Sequence, residues 1–201
     1  MTPAILSPKA RHVLALSGLA HTRDLERAGT SRTQLRRLLA SGAIERVSRG
    51  LYMLPGAPRT ERHDLAEAAR RVPGGVVCLL SALRFHGLTT QNPFEVWMAI
   101  DRKAWRSTVE HPPLRLSYLS GASLREGVEE HKVGGVTVRV FSAAKTVADC
   151  FKFRNKVGTD VAVEALRDFR RLHPRKLDAL WRFAQVDRVA RVMRPYLESL
   201  E

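Results

Sequence analysis

Residues 31–54 read SRTQLRRLLASGAIERVSRGLYML, and two structural periods meet inside them. The first half has the helical period. Leu35, Leu38 and Leu39 fall on one stripe, while Arg32, Thr33, Arg36 and Arg37 take the opposite arc. Ser31 and Gln34, three residues apart, form a capping-box pattern, so a helix is predicted from Ser31 to about Ser41, with Gly42 ending it. The second half changes to short strands. Ile44–Val47 and Leu51–Leu54 flank Ser48-Arg49-Gly50, a turn in which glycine can take dihedrals closed to other residues.

Working outward, Ser7-Pro8 is a helix start, with Ser as the cap and Pro in the first turn. That helix is predicted to run to about Leu16, with Ala10, Val13 and Leu14 on one face, and to stop at Ser17-Gly18. Thr22 is the expected cap of a second short helix through Ala28, ended by Gly29. Three short helices followed by a two-stranded hairpin is the order of a winged helix-turn-helix. It is predicted for residues 1–58, with Pro55-Gly56-Ala57-Pro58 as the linker. In such a fold the third helix is held by its apolar stripe and presents its polar arc to the major groove of DNA. The expected DNA-binding residues are therefore Ser31, Arg32, Thr33, Gln34, Arg36 and Arg37 on the helix, and Arg46, Ser48, Arg49 and Tyr52 on the hairpin. Arginine bonds bidentately to guanine or phosphate, and Thr and Gln supply adaptable hydrogen bonds. Tyr52 either reaches a phosphate through its hydroxyl or packs under the wing. Taken alone, Arg32, Arg36 and Arg37 would better suit a solvated helix face; it is the short helix pair, the capped third helix and the basic hairpin in this order that favour DNA.

Beyond the linker, residues 59–201 read as a mixed α/β domain with a small sheet and a helical C-terminal end. Helices are predicted at about 61–71 and 81–86, and strands at 94–100, 114–119 and 136–141. Further helices follow at about 143–153, 159–172, 175–184 and 187–200. The expected class is α+β, without internal repeats.

The formal net charge is +14 and Arg outnumbers Lys by 27 to 7, which points to a polyanionic partner, nucleic acid before membrane. Residues 1–60 carry 10 Lys+Arg against 3 Asp+Glu, whereas residues 61–201 carry 24 against 17. The basic excess is thus densest around the predicted DNA-binding segment. Met1–Leu6 lacks the basic and apolar runs of a signal peptide, and no apolar stretch approaches the length of a membrane span, so a cytoplasmic protein is expected.

Three blocks resemble the AbiEi-like antitoxins of type IV toxin-antitoxin systems: Leu38–Tyr52 (LLASGAIERVSRGLY), Ser81–Leu88 (SALRFHGL) and Ala144–Cys150 (AKTVADC). The resemblance extends over roughly residues 8–170. It implies a transcriptional repressor that binds its own promoter in double-stranded DNA. It also implies a nucleotidyltransferase-like toxin as partner, counteracted without a stable complex.

Other chemistries are less well supported. Asp101-Arg102-Lys103, with Glu95 nearby, offers the outline of a metal-dependent nuclease, but a polar turn after a strand has the same composition. A protein-interaction module is the third reading. His63, His86, His111, His131 and His173 show no helical metal-site spacing. Cys78 and Cys150 lack a ligand pattern and read as buried apolar residues. Lys145 and Asp149 are expected to pair on a helix surface. The basic run Lys152, Arg154, Lys156, Arg167, Arg170 and Arg171 suits either a phosphate-binding extension or a solvated face. No catalytic residue, cofactor or metal is expected, and the chain is not read as an enzyme.

Overall fold

The computed structural model describes residues 5–57, 61–103, 112–133 and 135–199. Pro58 of the expected linker, together with His111 and Gly134, lies outside the described residues. The chain is mixed α and β and divides into two compact units, Met1–Arg71 with His131–Val138, and Val72–Glu130 with Arg139–Glu201.

The first unit begins with α1 (Pro8–Ser17). The Ser7 hydroxyl accepts the Ala10 N–H at 3.2 Å, and Pro8 sits in the first turn, where its missing N–H costs nothing. The two-residue β1 (Ala20–His21) leads into α2 (Thr22–Arg27). Thr22 was the expected cap of this helix, and the structure corrects that. The cap is His21, whose Nδ1 accepts the Arg23 N–H at 3.2 Å while its own N–H donates to Asp24 Oδ2 at 3.3 Å. Sequence heuristics favour Ser, Thr, Asp and Asn at caps, and an imidazole acceptor escapes them. The Thr22 hydroxyl instead donates to the Gly50 carbonyl at 3.3 Å.

Helix α3 (Arg32–Ala40) is followed by β2 (Glu45–Ser48), β3 (Leu51–Met53) and α4 (Glu61–Arg71). Both β1 and β2 pair antiparallel with β3, so Tyr52 faces Ala20 on one side and Arg46 on the other. The register shifts between Arg46 and Ser48, which lets the hairpin twist at its turn. Leu14, Leu25, Leu35, Leu38, Ile44 and Tyr52 meet in one apolar core that joins the three helices to the hairpin.

The second unit contains β4 (Val76–Val77), α5 (Leu79–Phe85), β5 (Val96–Asp101), β6 (Leu114–Leu119) and α6 (Ala122–Arg125). The chain continues through β7 (Val128–Val133) and β8 (Val136–Phe141), whose facing ends group with the first unit. Helices α7 (Ala143–Lys152), α8 (Arg154–Val157) and α9 (Thr159–Leu172) follow, then a 3-10 turn at Pro174–Lys176, α10 (Leu177–Val186) and α11 (Ala190–Glu198). The five strands are ordered β6-β5-β4-β8-β7. Val77 pairs antiparallel with Met98 and parallel with Val140, so a strand of two residues holds the centre of the sheet.

Several expected boundaries move. The strand expected at 94–100 is Val96–Asp101, the helix expected at 81–86 starts at Leu79, and the helix expected from 187 starts at Ala190. Strands β4 and β7 and helices α6 and α8 were not read from the sequence at all. Val76–Val77 is too short to show a period. Val128–Val133 (VEEHKV) carries Glu129 and Glu130 together, and this hides its alternation.

Helix α7 is buried from Ala143 to Phe151. Its neighbours include Phe141, Phe169, Leu166 and Phe183. Each fully buried side chain of this size contributes roughly 1.5–3 kcal/mol. The burial overturns one expectation: Lys145 and Asp149 do pair, but in the core and not on a surface.

Candidate nucleic-acid interface

Helix α3 is set by its two ends and its two faces. At its start the Ser31 hydroxyl accepts the Gln34 N–H at 3.2 Å, and Gln34 Oε1 accepts the Ser31 N–H at 2.8 Å. Ser31 and Gln34, both expected at DNA, are thus engaged in the reciprocal cap. Leu35 and Leu38 are buried, whereas Arg32, Thr33, Arg36 and Arg37 are exposed. Arg32 pairs with Glu26 at 2.9 Å, yet its side chain remains 82% exposed, so solvent screens the pair and it contributes little to stability.

On the hairpin, Arg46 and Arg49 are exposed, and Ser48 contributes its backbone to β2. Tyr52 is only 8% exposed and belongs to the core. Gly50 has φ +78°, and a Cβ there would stand 3.1 Å from Thr22 Oγ1. The turn is fastened from two helices. The Gly50 carbonyl accepts both the Thr22 N–H, at 3.0 Å, and the Thr22 hydroxyl. The Arg49 carbonyl accepts the Arg70 guanidinium of α4. Arg70 was not among the residues singled out in the sequence. An arginine ending a helix after Pro-rich sequence gives no sign that it reaches back 21 positions to a turn.

The His21 imidazole lies near Arg70 and Arg23. Partial burial first, then these two guanidinium charges, lower its pKa from the ordinary value, and Asp24 and Glu26 oppose them.

In the second unit the third resembling block forms a buried ionic knot. Lys145 Nζ lies 2.5 Å from Asp149 Oδ1 and 2.9 Å from Asp187 Oδ2. Lys152 Nζ reaches Asp187 Oδ1 at 3.2 Å and Ser123 Oγ at 3.0 Å. Burial pushes the Asp149 carboxyl up to about 8, with Lys145 opposing the shift, and its Oδ2 has no hydrogen-bond partner among the described residues. Burial lowers the Lys145 pKa, but its two carboxylates outweigh that and raise it. The knot ties α7 to the end of α10. The sequence gives little sign of it, because Lys145, Asp149 and Lys152 at i, i+4 and i+7 make the polar stripe of an ordinary surface helix.

The second block supplies His86, whose Nε2 is 2.7 Å from the Phe141 carbonyl and so fixes the end of α5 against β8. The suspected nuclease residues are occupied locally. Asp101 Oδ1 accepts the Lys103 N–H at 2.8 Å, which closes a turn, and Glu95 pairs with Arg115 at 2.9 Å. Among the described residues no group of three His, Cys, Asp or Glu side chains is placed to hold a metal. No described helix is long and apolar enough to cross a membrane. Cys78 and Cys150 are buried free thiols whose pKa values burial raises.

Residues 10–55 match the family model described as "Transcriptional regulator, AbiEi antitoxin". The match covers α1 through the β2–β3 hairpin and stops before the second and third resembling blocks. This segment, under a quarter of the chain, is what is similar to those antitoxin regulators. No curated protein matches the chain.

Proposed function

We propose that the chain is a DNA-binding transcriptional repressor whose first unit works as a winged helix-turn-helix. The observation that carries the reading is the division of α3. Leu35 and Leu38 anchor it, while Arg32, Thr33, Arg36 and Arg37 stand free of the core beside an arginine-bearing hairpin. In this reading α3 enters the major groove with Arg32, Thr33 and Arg36 nearest the bases. Arg46 and Arg49 hold the backbone from the wing. Ser31 and Gln34 serve by fixing the start of the helix, and Tyr52 by supporting the wing from below.

The family match over residues 10–55 supports a further step, in which the operator lies in the chain's own promoter and a toxin is its functional partner. The resemblance of the later blocks supports a type IV arrangement, in which a nucleotidyltransferase-like toxin is counteracted without a stable complex.

Binding of the purified chain to duplex DNA from its own upstream region tests the reading. Arg36→Ala is expected to weaken binding by about 1–3 kcal/mol and to relax sequence preference. Arg49→Ala is expected to weaken binding to all sequences alike. Unchanged affinity in both variants would show that this surface does not carry the binding.

A further inference from the structure

A second basic feature of the first unit lies outside α3 and the hairpin turn. A cleft of about 560 Å³ is lined by His21, Arg23, Asp24 and Arg27 of the β1–α2 segment, by Arg70 of α4 and by Lys132. Four permanent cations from three segments face one carboxylate. That carboxylate, Asp24, already accepts the His21 N–H as part of the α2 cap. Arg23 and Arg27 are exposed, one helical turn apart, and neither is paired with a carboxylate among the described residues. Arg70 is steadied by the Arg49 carbonyl, and Lys132 by the Thr137 hydroxyl.

Like charges that line one cleft repel one another. An oxyanion placed among them relieves the repulsion and accepts charge-assisted hydrogen bonds from guanidinium forks whose geometry matches it. The volume is ample for a phosphate with its attached sugar, and the polar, cationic walls select against an apolar occupant.

We infer that this cleft binds a phosphate group, with Arg23 and Arg27 as its principal donors and Arg70 and Lys132 closing it. A duplex backbone and a free phosphate compound present the same chemistry to it. Burial first, then Arg70 and Arg23, holds the His21 pKa below its ordinary value. A bound anion favours the imidazolium, so occupancy raises that pKa against the burial, Arg23 and Arg70 that now depress it, on the same side as Asp24 and Glu26.

The test follows the His21 ring by NMR in the full chain, titrated with pH alone, with pyrophosphate, and with duplex from the upstream region. The expected result is an upward shift of the His21 pKa with at least one of the two phosphate sources. The shift should be lost in R23Q/R27Q and retained in Arg36→Ala. In R27Q alone, phosphate binding should weaken roughly tenfold, the loss of one charge-assisted contact. A shift with duplex only assigns the cleft to the DNA backbone. The salt dependence of duplex binding should then drop by about one to two phosphates in R23Q/R27Q. A shift with pyrophosphate in a chain that binds no duplex leaves the cleft standing and removes the DNA reading. A His21 that neither source moves overturns the inference, even where duplex binding through α3 persists.

Discussion

Lys145 is the residue whose environment differs most from its apparent chemistry. Its ammonium is fully buried between Asp149 and Asp187, so removing one partner leaves an uncompensated charge in the core. D187A is expected to lose about 3–5 kcal/mol of stability, measurable as a shift of the urea midpoint. The pH dependence has a defined sign. Asp149 is raised from 3.8 to about 8, so between those values the folded chain binds a proton that the unfolded chain releases. That contribution to stability is present at acidic pH and is lost as pH rises through about 8. D149N is expected to flatten this part of the profile, and a slope unchanged in D149N would place its cause elsewhere. Gly127 packs beside the same knot, with φ +72° and a would-be Cβ 2.8 Å from the Phe183 ring and 2.9 Å from Lys145 Cβ. G127A is expected to cost about 1–3 kcal/mol through crowding and through the left-handed backbone that only glycine adopts freely, read as a lower thermal midpoint with the pH profile preserved.

Elements with a strong local signature were legible in the sequence, and elements defined by their neighbours were not. Helix α3 combined a capping box, a leucine stripe and a terminating glycine, and its structure spans Arg32–Ala40 as those signals require. S31A is expected to cost about 1 kcal/mol and to lower DNA affinity indirectly, by loosening the first turn. Restoration of binding at lower temperature would distinguish this from loss of a direct contact. The hairpin was equally clear from Arg49-Gly50. Its fastening by Thr22 and Arg70 was not, since both contacts cross long stretches of chain. Strand β4 was invisible for the same reason. Two valines become a central strand only because Met98 and Val140 flank them. The ionic knot escaped because an i,i+4 Lys–Asp spacing is common on exposed helices, and burial of α7 is a property of the packed unit.

At the scale of the whole molecule, the basic excess and the fold of the first unit agree. Residues 1–60 hold much of the net charge of +14, and α3, the hairpin and the cleft all draw on it. The second unit has a different character, with apolar helices, a five-stranded sheet and the Lys145–Asp149–Asp187 knot buried in its core. This division suits the proposed function, in which the first unit binds DNA and the second carries a separate role. Association with DNA through arginines releases condensed counterions, so the central claim has a direct electrostatic signature. The deciding measurement is the affinity of the intact chain for duplex from its own upstream region, followed across salt concentration. The expected result is specific binding whose affinity falls steeply with salt, with a log–log slope of roughly −0.9 for each phosphate contacted. Failure to bind that duplex even at low salt, or an affinity indifferent to salt, would contradict DNA binding by the first unit.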